Sequence, residues 1–186
     1  DDFFRLSSPD APPPAPGHVP QLVASTNGPA APAIAVDSNG DLHVAALDGE
    51  QLVYVSRRAG TWSPKTSITS YPSDGGWIQQ DSIRIAVDQA ARPHIIWIRG
   101  YAPNLPVFND DLFYAHFDGT SWPSPVSLSA PVLLGTGSST RYPAITVNSL
   151  GQVHVWWHER VWPAGAGGVH HTIKSGGGVT APHFLQ

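Results

Sequence analysis

Four aromatic residues, Trp77, Tyr101, Tyr142 and Trp162, fall in stretches that also carry charge: Asp81, Arg99, Asp110, Arg141, His158, Glu159 and Arg160 stand close to them in the sequence. Aromatic faces stack on the apolar C–H faces of sugars, and arginine and carboxylate groups satisfy hydroxyls or acidic substituents in bidentate fashion. As a set these residues suit a glycan. Two bond-breaking chemistries draw on the same types. A glycosidase needs two carboxyl groups flanking one bond, which Glu159 with Asp81 or Asp110 could supply; a polysaccharide lyase needs a base, a role open to His158 or Tyr101. No complete catalytic set can be written from the spacing. The primary expectation is therefore a carbohydrate-binding, lectin-like face made of Trp77, Arg99, Tyr101, Arg141, Tyr142, His158, Glu159, Arg160 and Trp162. A glycosidase, a lyase and a purely structural or protein-interaction module are the alternatives.

Two other constellations invite a metal. His43, His94 and His154 each follow an Asp or Asn by six residues (Asp37, Asp88 and Asn148). As equivalent positions of a repeat they stand a unit's width apart, too far for one tetrahedral ion, so a structural role is expected, such as a hydrogen bond to a neighbouring unit's backbone. Asp37-Ser38-Asn39-Gly40-Asp41 has the carboxylates of a calcium loop, but the equivalent turns after Asp88 and Asn148 lack them, and a plain Asn-Gly turn fits better. Neither metal nor cofactor is expected.

Those histidines belong to a sentence written three times. Ile34-Ala35-Val36, Ile85-Ala86-Val87 and Ile145-Thr146-Val147 each lead to the acid or amide, a short turn and the histidine, 51 residues separating Ile34 from Ile85 and 60 separating Ile85 from Ile145. Short β-rich runs repeating at this period are the signature of a β-propeller whose blades have four strands. Three blades are expected, over residues 33–69, 83–129 and 144–186, after a Pro-rich leader or linker at 1–18 and an extra strand at Val19–Thr26. Helix is expected nowhere, since no window shows a 3.6-residue apolar period and 19 prolines and 18 glycines punctuate the chain. The connections within Arg99–Asp110 and His158–Gly168, and between blades at Ser70–Asp81 and Ser129–Tyr142, read as long loops emerging on one face, where function concentrates on a rigid scaffold.

The repeat also has a later tyrosine (Tyr54, Tyr114) and a run Asp118-Gly119-Thr120-Ser121-Trp122 answering Gly60-Thr61-Trp62. With these it resembles the blade of the sialidase-like propellers built from bacterial neuraminidase, or Asp-box, repeats, over roughly Ala33 to Leu185. The resemblance implies a propeller fold. An Asp box reads Ser/Thr-x-Asp-x-Gly-x-x-Trp, whereas Asp118 and Gly119 are adjacent here. Of the arginine triad, Tyr/Glu pair and acid that the family's sialidases use, Arg84 in Ile83-Arg84-Ile85-Ala86 partly matches an Arg-Ile-Pro motif, and the rest cannot be assigned.

Composition narrows the partners. A formal charge of −4 and ten scattered basic residues, only Lys65 and Lys174 of them lysine, do not form the basic stripe that nucleic acid requires. No apolar run approaches the roughly 20 residues of a membrane span, and with no cysteine there is no disulfide framework. The first residue is Asp1, which fits trimming after export, and a secreted or periplasmic location is expected. Three blades would leave two apolar flanks bare, so the ring is expected to be closed by a partner, either a second copy in a twofold pair or a companion chain.

Overall fold

In the computed structural model of the chain, the residues described are 25–27, 31–70, 76–104, 107–129, 138–161, 167–175, 178–179 and 183–185. The leader at 1–18 and most of the expected strand at Val19–Thr26 lie outside them. Within that stretch Ser25 and Thr26 are not in a strand, and Asn27 is tied to the Asp48-Gly49 turn by two backbone contacts, Asn27 N–H to Asp48 Oδ1 (2.7 Å) and Gly49 N–H to Asn27 C=O (2.8 Å).

The described chain is all-β, in two antiparallel-dominated sheets of which neither is closed. The first unit comprises β1 (Ala33–Val36), β2 (Leu42–Asp48), β3 (Gln51–Arg58), β4 (Thr61–Trp62) and β5 (Thr66–Ser70). Its expected fourth strand, Trp62–Thr69, is split at Ser63-Pro64-Lys65, where proline has no N–H to give the ladder. The second unit comprises β6 (Trp77–Ile78), a single 3-10 turn (Gln80–Ser82), β7 (Arg84–Val87), β8 (Pro93–Asn104), β9 (Val107–His116) and β10 (Val126–Ser127). The third comprises β11 (Ser138–Val147), β12 (Val153–Val161), β13 (Gly167–Ser175), β14 (Gly178–Val179) and β15 (His183–Leu185). β1, β7 and β11 pair with β2, β8 and β12, and these in turn with β3, β9 and β13, all antiparallel. These equivalent strands lie side by side, β7 packed between β1 and β11, so the units stand next to one another in the manner of propeller blades.

The repeated acid makes each first turn. Asp37 Oδ1 accepts the N–H groups of Asn39 and Asp41 (2.8 and 2.9 Å), Asp88 Oδ1 those of Ala90 and Arg92 (both 2.9 Å), and Asn148 Oδ1 those of Leu150 and Gln152 (3.0 and 2.9 Å). An amide oxygen does this as well as a carboxylate, which explains why Asn148 serves in the third copy. The histidine then bridges the turn to the third strand. His43 and His94 contact the carboxylates of Asp37 and Asp88 through Nε2 (3.4 and 3.6 Å), and their Nδ1 atoms meet the hydroxyls of Tyr54 and Tyr114 at 2.7 Å. His154 bridges Asn148 Nδ2 and His171 Nε2, both at 3.2 Å. The partners belong to the same unit, so the expected bond to a neighbour's backbone is replaced by a brace across one's own sheet. Tyr54, Tyr114 and His171 occupy the same register position, two residues along the second strand from the histidine.

Burial gives this brace a pH dependence. Desolvation outweighs the nearby Asp88 charge and holds His94 down to about 4, with His116 and Lys174 pushing it the same way. Burial pushes the Asp88 carboxyl up, but its hydrogen bonds and the Arg92 charge outweigh that and lower it. Between pH about 6.5 and the folded value the unfolded chain binds the extra proton. The stabilisation from neutral His94 is thus complete above that window and is lost as pH falls through it, by about 3 kcal/mol. Glu159 and Asp111, both raised by burial, oppose this trend. Urea unfolding at about neutral pH and at about pH 5 is expected to show a large fall for the parent chain and a smaller one for His94→Gln; equal falls would assign the acid sensitivity elsewhere.

Hydrophobic burial centres on the second unit. Ile95-Ile96-Trp97-Ile98 is wholly buried in consecutive positions, as expected for a strand covered on both faces. Ile95 and Trp97 join Ala45, Leu47, Leu52 and Tyr54 of the first unit, while Ile96 and Ile98 join Val153, Val155 and Trp157 of the third. On the far flank of the first unit, Ile34 and Val36 are 62% and 60% exposed.

Candidate functional site

The strands of the second and third units continue beyond their apolar cores, and this builds the site. Pairing runs on through Ile98↔Leu112, Arg99↔Asp111, Gly100↔Asp110 and Tyr101↔Asn109, and through Trp157↔His170, His158↔Val169 and Glu159↔Gly168. The stretches Arg99–Asp110 and His158–Gly168, expected as loops, are therefore mostly the ends of two long hairpins. Apolar alternation stops at Arg99 and Glu159, but the backbone ladder does not depend on apolar side chains where polar ones satisfy one another. Arg141 and Tyr142 likewise lie on β11, and Trp77 lies on β6, paired with Gly100. A parallel bridge from Ser138 to Asn109 ties the two hairpins into one sheet.

At their junction Asp110 is nearly buried, and its Oδ2 accepts a bond from Arg141 Nη1 at 2.5 Å, with Ser139 Oγ at 3.5 Å. Thr140 Oγ1 donates to the Asp110 carbonyl (2.7 Å), and Arg141 Nη1 also reaches the Thr140 carbonyl (2.8 Å). The guanidinium is thus oriented from below by a fixed carboxylate while nearly half its side chain faces solvent. Gly100 lies beside this pair: a Cβ there would fall 2.7 Å from the Trp77 indole and 2.8 Å from Asp110 Oδ1, so only glycine lets ring and carboxylate both approach. On the other side of Arg141 the ladder between β11 and β12 is irregular between Arg141 and Ala144. Tyr142 there has φ +56°, and its exposed ring stands 6.4 Å from that of His158. His158 itself lies over Gly167, where a Cβ would come 3.1 Å from its Nε2.

A left-handed φ on a bulky residue that precedes proline costs about 1–3 kcal/mol. Such strain persists where the surroundings impose it, and here it lifts an aromatic ring clear of the sheet. Tyr142→Gly is expected to raise stability by about 1 kcal/mol in a denaturant titration. A loss of stability would show that the tyrosine ring contributes packing that outweighs the strain.

Trp77, Asp110, Arg141, Tyr142 and His158 therefore form one continuous patch across the second and third units. Glu159 lies underneath it and is almost wholly buried, with Oε2 accepting from Trp157 Nε1 (3.3 Å) and 3.7 Å from His170 Nε2. Burial pushes the Glu159 carboxyl up, more than the Trp157 bond lowers it, and Asp111 pushes it further. Arg99 faces away from the patch, its guanidinium against Gly76 and its charge acting on Asp111. Asp81 is exposed in the 3-10 turn, where its carbonyl accepts from Arg84 Nη1 at 2.7 Å, and Arg160 is exposed on β12. Tyr101 is placed by its backbone on β8, and Trp162 lies outside the described residues. Sequence reasoning named Asp110 as a possible acid but missed its role as the anchor of Arg141. It also missed Gly100, whose only signal was a glycine inside an extended run. Among the described residues no three His, Asp or Glu side chains converge closely enough to hold a metal ion.

No protein-family model matches the sequence, and no curated protein matches it. Among solved structures, the polysaccharide lyase Uly1 aligns with a TM-score of 0.58 at 17% identity, covering 83% of this chain and 40% of that one. An endo-arabinase from Bacteroides thetaiotaomicron VPI-5482 aligns with a TM-score of 0.46 at 13% identity over 83% of this chain and 61% of that one. The first likeness is one of fold. This chain spans less than half the length of that lyase.

Proposed function

We propose that this chain is part of a propeller that binds an acidic polysaccharide on the long-hairpin face. The observation that carries the reading is the Arg141 guanidinium, aimed by Asp110 toward solvent and flanked by the exposed rings of Trp77 and Tyr142. A fixed guanidinium takes a carboxylate bidentately, and aromatic rings beside it take the adjoining sugar faces. Export to where such polymers occur belongs to the same proposal. A panel of immobilised acidic and neutral glycans tests it. Retention by uronate-rich polymers, weakened by added salt, is expected; equal retention by neutral polymers or none by any would contradict it.

A second reading, turnover by β-elimination, is favoured by the position of His158 and Tyr142 on either side of the ladder beside Arg141, and the likeness of the fold to part of a polysaccharide lyase supports it. In such a reaction Arg141 would neutralise the uronate carboxylate. One of His158 and Tyr142 would take the proton from the carbon next to it, and the other would give a proton to the glycosidic oxygen as its bond breaks, leaving a double bond in the sugar ring. The unsaturated product absorbs in the ultraviolet. Appearance of that absorbance, abolished by His158→Ala, would turn the binding face into an active site; tight binding without it keeps the first reading.

Closure of the ring by further blades, from a twofold mate or a companion chain, completes the proposal. It is supported by the exposed apolar flank at Ile34 and Val36. Light scattering of the purified chain is expected to show a doubled mass or a co-purifying polypeptide; a stable lone 19.8 kDa species would contradict closure by a partner.

A further inference from the structure

A groove lies at the end of the strands opposite the long hairpins. The turn between β3 and β4 sits beside the first turn of its unit, Ala59 N–H reaching Asp41 Oδ1 at 3.4 Å, so the ends of β3 and β9 at this level point away from the long hairpins. Between them the groove has a volume of about 530 Å³, within the range of small-ligand sites. One wall is β3 with β5 of the first unit, the other the segment from Phe117 to Trp122 of the second.

The lining is unusual in being hydroxyl-rich without a carboxylate. Ser56, Thr66, Ser67 and Thr120 contribute side-chain hydroxyls, and Arg58 is the one cation among the lining residues. Trp122 supplies an aromatic face, fixed by tilted contacts with Tyr54 (centroids 5.2 Å apart) and Phe117 (5.8 Å). The loop that carries it is preset: Asp118 accepts the N–H groups of Thr120 and Ser121 (2.7 and 2.8 Å) and the Ser121 hydroxyl (3.1 Å), with Gly119 at φ +106°. Tyr54 at the groove floor is braced by His43. The junction of the second and third units is built differently at the same level. Lys174, in the register position that Phe117 holds in the second unit, places its ammonium 4.2 Å from the Tyr114 ring centroid.

We infer that this groove is a second saccharide site, separate from the long-hairpin face, which takes a short stretch of glycan with its hydroxyls on the Ser/Thr wall, one sugar face on Trp122 and one carboxylate on Arg58. The chemistry follows from the inventory. Serine and threonine hydroxyls both donate and accept, which suits sugar hydroxyls; the rigid indole offers an apolar face with little entropy left to lose; and a single guanidinium selects for one acidic substituent.

The test is titration of the chain with a galacturonate tetramer and, separately, with cellotetraose. The readouts are the Trp122 indole N–H resonance, identified by its loss in Trp122→Phe, and the Thr120 and Ser121 amides. The galacturonate tetramer is expected to shift all three, and cellotetraose to do so with about tenfold weaker affinity. Arg58→Gln brings the first affinity down to the second. Ser67→Trp, which fills the groove from an exposed position and leaves the Trp122 contacts intact, removes the shifts. Arg141→Gln leaves them unchanged, so failure here is distinguishable from failure of the long-hairpin reading. Shifts absent with both tetramers, or persisting in Ser67→Trp, or lost in Arg141→Gln but not in Arg58→Gln, overturn the groove as a site.

Discussion

Arg141→Ala is expected to lower the affinity for a uronate polymer by about a hundredfold, the loss of a bidentate charge-assisted contact worth about 2–3 kcal/mol. The effect should be large because the guanidinium is already oriented: the nearly buried Asp110 carboxylate and the Thr140 carbonyl fix it before any ligand arrives, so little ordering entropy is left to lose on binding. Arg141→Lys is expected to recover only part of the affinity, since an ammonium is a point charge without the planar fork. Asp110→Asn keeps the shape but weakens the anchor, and about a three- to tenfold loss is expected. The two substitutions should be strongly non-additive, because the carboxylate acts through the arginine. Binding isotherms of the single and double variants check this; additive losses would mean that Asp110 contributes separately from Arg141.

Trp97→Ala is expected to cost about 3–5 kcal/mol, a large share of the roughly 5–15 kcal/mol of a typical domain. Trp97 is fully buried, stacks on Phe113 (centroids 5.9 Å apart, 18° between planes) and belongs to the cluster that joins the first unit to the second. Its Nε1 hydrogen finds no acceptor among the described residues. Trp97→Phe should accordingly cost much less than the lost volume implies, since it removes a buried donor that is already unsatisfied. Chemical denaturation separates the two. Similar costs for both variants would place the energy in the indole's polar edge rather than in packing.

Much of the architecture was legible in the sequence because its devices are local. The acid or amide that closes each first turn, the glycines at positive φ (Gly40 at +81°, Gly60 at +83°) and the continuous apolar run at Ile95–Ile98 are written in consecutive residues. The histidine brace was half legible. The spacing marked His43, His94 and His154 as equivalent, but their partners Tyr54, Tyr114 and His171 depend on strand register, which the spacing does not state. The site was less legible still. Apolar alternation stops at Arg99 and Glu159, so in sequence the polar continuations of β8, β9, β12 and β13 look like loops. That places Glu159 and Asp110 in solvent, when pairing with the next hairpin buries both. Nothing in the sequence could show that Trp77 and Asp110 meet over Gly100, because 33 residues separate the two and the contact exists only across three strands.

The central claim is that an acidic glycan lies along the patch from Trp77 through Arg141 to His158. Saturation-transfer and chemical-shift mapping with a uronate oligosaccharide tests it most directly, with resonances of the Trp77 indole, the Tyr142 ring and the His158 imidazole as reporters. The account predicts that all three respond together, with one affinity, and that Arg141→Gln removes the response at each. Responses confined to other surfaces, or unchanged in Arg141→Gln, would contradict it.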